Sequence, residues 1–232
     1  MPLPVSVCPR LEQGTGISMP RTAVIDLDGT LVDSNYHHTL CWQNALLDHG
    51  LIVPAWRLHR HVGMGGDKYV TAVAGEEVES SLGEALRNRW EQLFDEVIDQ
   101  IQPLPDAREL VLTLKERGHI VVVASSAIER HLNVLFDKLA IRDLVDAWTV
   151  SDDVGSSKPE PDLIEAALEK AGTRDAVMIG DSPWDIIAAD GAGIPTLGLL
   201  TGGFSTSELE GAVATYPSLG ELRKELPRTV LA

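Results

Sequence analysis

The chain has 232 residues, 44% hydrophobic and 23% charged, with a formal net charge of −16. That length suits one α/β domain, or one domain carrying an insertion. The acidic balance argues against nucleic acid and anionic membranes as main partners, and no apolar run approaches the ~20 residues of a membrane span.

Residues 1–19 read as a loose extension without the ~7–15-residue apolar segment of a secretory signal. Met19 stands just ahead of the first strand pattern. Cys8 and Cys41 are the only cysteines, with no Cys-x-x-Cys and no disulfide framework. They predict a reducing, cytoplasmic setting. No heptad or apolar face sets an oligomeric state, so monomer and homodimer both stay open.

An apolar strand is expected over residues 22–27. It carries Asp26 and Asp28, and Gly29 and Thr30 then turn the chain. Side chains alternate along a strand, so both acids start on one side, where the strand runs out. Two acids there need a cation, a proton or solvent; the plain alternative is an acidic turn. Residues 35–102 then fill a crossover that needs only a short loop and one helix. They read as helices over 36–49, 55–61, 68–74 and 78–102, punctuated by Pro54, Gly63-Met64-Gly65-Gly66 and Gly75. An inserted helical unit with its own small core is the simplest reading, bounded near 33–35 and 103–105. The main domain would then comprise 20–34 and 103–232.

From there strands (119–124, 147–150, 176–179, 194–199) alternate with helices (107–117, 129–139, 161–171, 183–189). Continuous apolar strands such as Ile120-Val121-Val122-Val123-Ala124 argue a doubly wound parallel sheet, Rossmann-like, with helices on both faces. In such folds the site lies at the carboxyl ends of the strands. Ser125 and Ser126 follow one strand, as a helix cap or an anion site. Lys158 stands before Pro159 and Pro161 in a stiff segment, either a solvated charge or a placed cation. Asp181 ends another strand, with Asp185 one helical turn on; a capping pair and a metal site both fit. The glycines of Gly63-Met64-Gly65 allow close backbone approach to a ligand, or simply a turn. No His-x-x-x-His pair sits beside the carboxylates, so zinc is not expected.

Four segments together resemble the haloacid dehalogenase superfamily: Asp26-Leu27-Asp28-Gly29-Thr30, the strand ending in Ser125, Lys158-Pro159-Glu160-Pro161, and Gly180-Asp181 with Asp185. They occur in that family's order. The insertion resembles the helical cap of the subfamily that includes phosphoglycolate phosphatase and β-phosphoglucomutase. The resemblance implies a phosphatase of a small phosphorylated metabolite. Asp26 would be the nucleophile, Asp28 the general acid/base and Lys158 the charge-balancing lysine. Thr30, Ser125, Ser126, Lys158 and the cap loop Gly63, Met64, Gly65 would bind substrate. Mg²⁺ would be held by the side chains of Asp26 and Asp181 and the backbone carbonyl of Asp28, with Asp185 behind them. Two departures from the mutase pattern favour hydrolysis: Gly180 precedes Asp181, and Ser125-Ser126-Ala127-Ile128-Glu129 lacks the mutase Lys-Asn. A phosphomutase is the main alternative. A phosphonatase using Lys68, or a non-catalytic binding module, ranks lower.

Overall fold

The computed structural model describes residues 22–232. The expected extension, with Cys8 and Met19, lies outside the described residues. β1 (Thr22–Ile25) leads into four helices in succession: α1 (Asn35–Asp48), α2 (Ala55–His59), α3 (Gly66–Ala74) and α4 (Glu76–Val97). Then follow α5 (Ala107–Glu116), β2 (Ile120–Ala124), α6 (Glu129–Leu139), β3 (Ala147–Thr149), α7 (Asp162–Ala171), β4 (Ala176–Gly180), α8 (Pro183–Gly191) and β5 (Thr196–Leu199). The chain closes with β6 (Ala214–Tyr216) and α9 (Leu219–Glu225).

All six strands are parallel, in the order β3-β2-β1-β4-β5-β6. The chain leaves β1 towards β2 and β3, then crosses to β4 on the other side. The strand order therefore reverses at the carboxyl end of β1, where such sheets open a crevice. Alternation along the strands sorts their residues between two cores. Ile25, Val123 and Ile179 face α5, α6 and α9 through Leu110, Phe136 and Leu222. Val24, Val122 and Met178 face α7 and α8 through Ile164, Leu168 and Ala188. Both faces are covered, which is why these strands are almost wholly apolar.

Residues of α1 to α4 bury a separate cluster that includes Trp42, Leu46, Leu58, Tyr69, Val70 and Leu86. The chain enters and leaves this helical segment side by side: the Asp33 N–H donates to the Gln102 carbonyl at 3.0 Å, and Val32 bridges to Pro103.

Several boundaries differ from expectation for local reasons. β1 ends at Ile25, because the Leu27 carbonyl turns away to accept from the Leu31 and Val32 N–H groups at 2.8 and 3.1 Å. The expected 78–102 helix begins at Glu76 and ends at Val97, passing into a tight turn over Ile98–Gln100. β6 and α9 were not foreseen; a three-residue edge strand carries almost no periodic signal.

Candidate active site

Two strand ends and one loop deliver the acids and the lysine. β1 and β4 are neighbours, so Asp26 and Asp181, just beyond their last residues, come together. The Asp26 N–H still holds the Ile179 carbonyl at 2.9 Å, which fixes the acid in the sheet plane. Lys158 arrives from the β3–α7 connection, with its side chain 1% exposed. Its ammonium lies 2.5 Å from Asp26 Oδ1 and 2.8 Å from Asp185 Oδ1, and it donates to the Ala124 carbonyl at 3.3 Å.

Asp181 sits in a fitted cradle. Its carboxylate accepts from Thr30 Oγ1 at 2.8 Å and from Asn35 Nδ2 at 2.9 Å. Gly29, at φ +76°, and Gly202 leave no room for a side chain, since a Cβ at either would run into this carboxylate. Asp185 serves two purposes at once. Its Oδ2 accepts from the Ser182 N–H and hydroxyl at 3.0 and 2.7 Å, closing a capping box on α8 with Pro183 in the first turn. Its Oδ1 faces the Lys158 ammonium.

Carboxylate oxygens of Asp26, Asp181 and Asp185 lie within 4.8 Å of one another, and all three residues are buried. Burial pushes the Asp26 carboxyl up to about 7, against the pull of Lys158; the charges of Asp185 and Asp28 add to the rise. Burial, then the charges of Asp185 and Asp26, hold Asp181 well above the usual carboxylate range. Burial opposes the charge on Lys158, but Asp185 and Asp26 outweigh it and keep the ammonium more basic than usual. One ammonium thus contacts two of three clustered, buried acids. Such a surplus of hard oxygen donors is stabilised by a divalent cation.

Asp28 stands in a different environment. Burial pushes its carboxyl up, but His38, by charge and hydrogen bond, and the Ser34 hydroxyl outweigh this and leave it below the usual range. Its Oδ1 contacts Ser34 Oγ at 2.6 Å and His38 Nε2 at 2.9 Å. The His38 ring is stacked on Phe94, centroids 4.3 Å apart, which holds the nitrogen towards the acid. Two carboxyls two residues apart are therefore driven in opposite directions.

Asp26 and Asp28 open into a cleft of about 290 Å³ between the strand ends and the helical segment. Gly63, Met64, Gly65 and Ser126 line the same cleft. The glycines bring the loop close to the sheet: a Cβ on Gly63 would meet Ser182 Oγ at 2.8 Å, and one on Gly65 would collide with Ser157. Asp67 fastens this loop, accepting hydrogen bonds from the Ser157 hydroxyl and N–H. Thr30 and Ser125 are fully buried behind the cleft. Thr30 serves Asp181, and the Ser125 hydroxyl accepts from the Ala127 N–H at 3.0 Å, capping the loop that carries Ser126. Lys68, considered for Schiff-base chemistry, is not among the described residues lining the cleft.

Four residues of this site were not singled out in the sequence: Ser34, Asn35, His38 and Gly202. The first three follow the Asp-x-Asp segment directly, at the start of α1. Ser34 and His38 are spaced i, i+4, and that spacing places both beside Asp28. Only long-range contact reveals Gly202.

The profile of a family described as haloacid dehalogenase-like hydrolase matches residues 20–193. A phosphoglycolate phosphatase of Yersinia pseudotuberculosis is 30% identical over 207 residues, covering 84% of this chain and 85% of that protein. One from Pseudomonas putida is 27% identical over 219 residues, covering 90% and 80%. The crystal structure of a hydrolase from Pseudomonas syringae superposes with a TM-score of 0.84 at 32% identity, over 89% of this chain and 98% of that one. With its strand order, its inserted helices and the acidic, hydroxyl and lysine segments at its strand ends, the chain belongs to the haloacid dehalogenase-like hydrolases.

Proposed function

We propose that this protein is a Mg²⁺-dependent phosphatase that hydrolyses a small phosphorylated metabolite through an aspartyl-phosphate on Asp26. The observation that carries the reading is the pairing at one cleft of two differently tuned carboxyls, Asp26 and Asp28, backed by a buried acid cluster. The relatives named phosphoglycolate phosphatase support hydrolysis of a small ester.

The donor set fits a hard divalent ion. Asp26, Asp28, Asp181 and Asp185 carry four formal negative charges against the one positive charge of Lys158. Asp26 and Asp181 would hold Mg²⁺ by side chain and Asp28 by its backbone carbonyl, with Asp185 behind them. When bound, the ion neutralises phosphoryl oxygens and makes the phosphorus more electrophilic.

The remaining chemistry belongs to the chain. Lys158 engages Asp26 Oδ1 and holds the carboxylate in one orientation, leaving Oδ2 to attack. As the Asp26–phosphorus bond forms, the bond to the leaving oxygen breaks and Asp28 protonates the departing alcohol. The incoming phosphate places negative charge beside Asp28 and raises its affinity for that proton. Asp28, now ionised, takes a proton from water, which attacks the aspartyl-phosphate and frees Asp26 and inorganic phosphate. The helices of 35–102 act as a cap that excludes bulk water, and the Asp67–Ser157 contact closes it over the site.

The test is phosphate release across a panel of phosphate esters, in Mg²⁺ and in EDTA, with Asp26→Asn alongside. The expected result is metal-dependent release that vanishes in a folded Asp26→Asn protein. Release that persists in that variant refutes the nucleophile.

A further inference from the structure

We propose that Arg87 is the specificity-determining residue of the cleft, selecting phosphate esters whose leaving group ends in a second anionic group, a carboxylate or another phosphate. The inference rests on the phosphatase reading above.

α4 turns Arg87, Trp90 and Glu91 to one side, spaced i, i+3 and i+4, and all three line the cleft that holds Asp26 and Asp28. Among the described residues lining it, Arg87 is the only lysine or arginine. Its guanidinium is already oriented. Nη1 donates to the Gly66 carbonyl at 3.1 Å and to Glu79 Oε2 at 2.9 Å. Gly66 seats the stem, since a Cβ there would come within 3.3 Å of Arg87 Cδ. These bonds use Nη1 alone and leave Nη2 and Nε for a ligand.

Two further polar atoms on the cleft's own side chains point to an oxygen-rich ligand. Trp90 Nε1 and Ser126 Oγ are both buried and without a hydrogen-bond partner. An indole N–H can only donate, and a buried donor left unpaired is costly. Besides Asp26 and Asp28, the acids that share the lining are otherwise engaged: Glu91 with Arg130 at 2.5 Å, and Asp67 with Ser157. A guanidinium fork matches a carboxylate or a phosphate in two parallel bonds, whereas a neutral alcohol leaves it unmatched. The net charge of −16 repels anionic substrates at a distance, so a local cation must do the selecting.

The experiment compares three short esters: 2-phosphoglycolate, ethane-1,2-diol bisphosphate and the neutral-ended 2-hydroxyethyl phosphate. Wild type is expected to favour at least one charged-ended ester in kcat/KM by about 10-fold or more, and which one leads identifies the end group. Arg87→Met should lower that ratio roughly 10- to 100-fold, the worth of a charged hydrogen bond. Arg87→Lys, which keeps the charge and loses the fork, should fall between. A wild type that cleaves the esters with no preference for a charged end overturns the inference and leaves the phosphatase reading standing. So does Arg87→Met with all esters slowed alike, which marks Arg87 as merely structural. A wild type that cleaves none of them overturns the inference, and the phosphatase reading falls with it only if the wider ester panel also shows no Mg²⁺-dependent release.

Discussion

Replacing Lys158 by methionine removes the one ammonium that faces the buried acids. In the native protein that ammonium is 1% exposed and sits 2.5 Å from Asp26 and 2.8 Å from Asp185. Methionine fills most of the volume, so packing changes little and the cost is electrostatic. Breaking a buried pair while leaving its partner charged costs about 3–5 kcal/mol. For a chain of this size that lowers Tm by roughly 6–20 °C in EDTA. The loss has a definite pH dependence. Asp26 already stands above its unfolded pKa, and without Lys158 it stands higher still. Wild-type Asp26 keeps its folded-state proton up to about 7 and then ionises beside Lys158, whereas the variant's keeps it longer, so the variant's deficit grows as pH rises above about 7. Added Mg²⁺ should raise Tm more in the variant than in wild type, because the cluster carries one more uncompensated charge. The assay is thermal unfolding with EDTA or Mg²⁺ at about pH 5 and about pH 8. A variant within about 2 °C of wild type at the higher pH without metal would refute the claim that Lys158 neutralises these acids.

Asn35→Ala removes the amide that donates to Asp181 at 2.9 Å; Mg²⁺ affinity by calorimetry should fall about 10-fold, as when a group supporting a metal ligand is lost. His38→Phe keeps a ring to stack on Phe94 but loses the group that does most to hold Asp28 down. The limb of the pH–rate profile governed by Asp28 should then move to higher pH; an unmoved limb would count against Asp28 as the acid/base. Metal-free wild type should lose stability as pH rises from 3.8 towards about 7, because folded Asp26 keeps its proton over that window and the unfolded chain does not. Urea midpoints in EDTA that rise across the window would show that Asp26 is not buried uncompensated.

Much of the fold was legible because it rests on local pattern. The apolar runs that became β1, β2 and β4 are buried on both faces, and nothing else explains five consecutive residues such as Ile120 to Ala124. Asp26, Asp28 and Asp181 were legible for the opposite reason. An acid at the end of such a strand violates the pattern, and violations that a fold tolerates mark function. What stayed hidden depends on contact across the chain. Asn35 reaches Asp181 over a separation of 146 residues, and neither residue's neighbours announce the other. Arg87 carries no signal of its own in the sequence; the packing of α1 against α4 is what makes it part of the cleft lining.

The two readings of Asp185 show why sequence alone could not choose between them. As a cap it needs one oxygen on Ser182, and as part of the acid cluster it needs the other on Lys158; the structure uses both. A carboxylate has two oxygens with separate lone pairs, so a capping bond does not exhaust it. The capping box then has a consequence for the site itself. It fixes Asp185 to the first turn of α8, and through Lys158 it holds the carboxylate of Asp26 in place. The start of a helix thereby sets the direction from which Asp26 can meet a phosphate. Local stability and site geometry are here one set of bonds, and Ser182→Ala should disturb both.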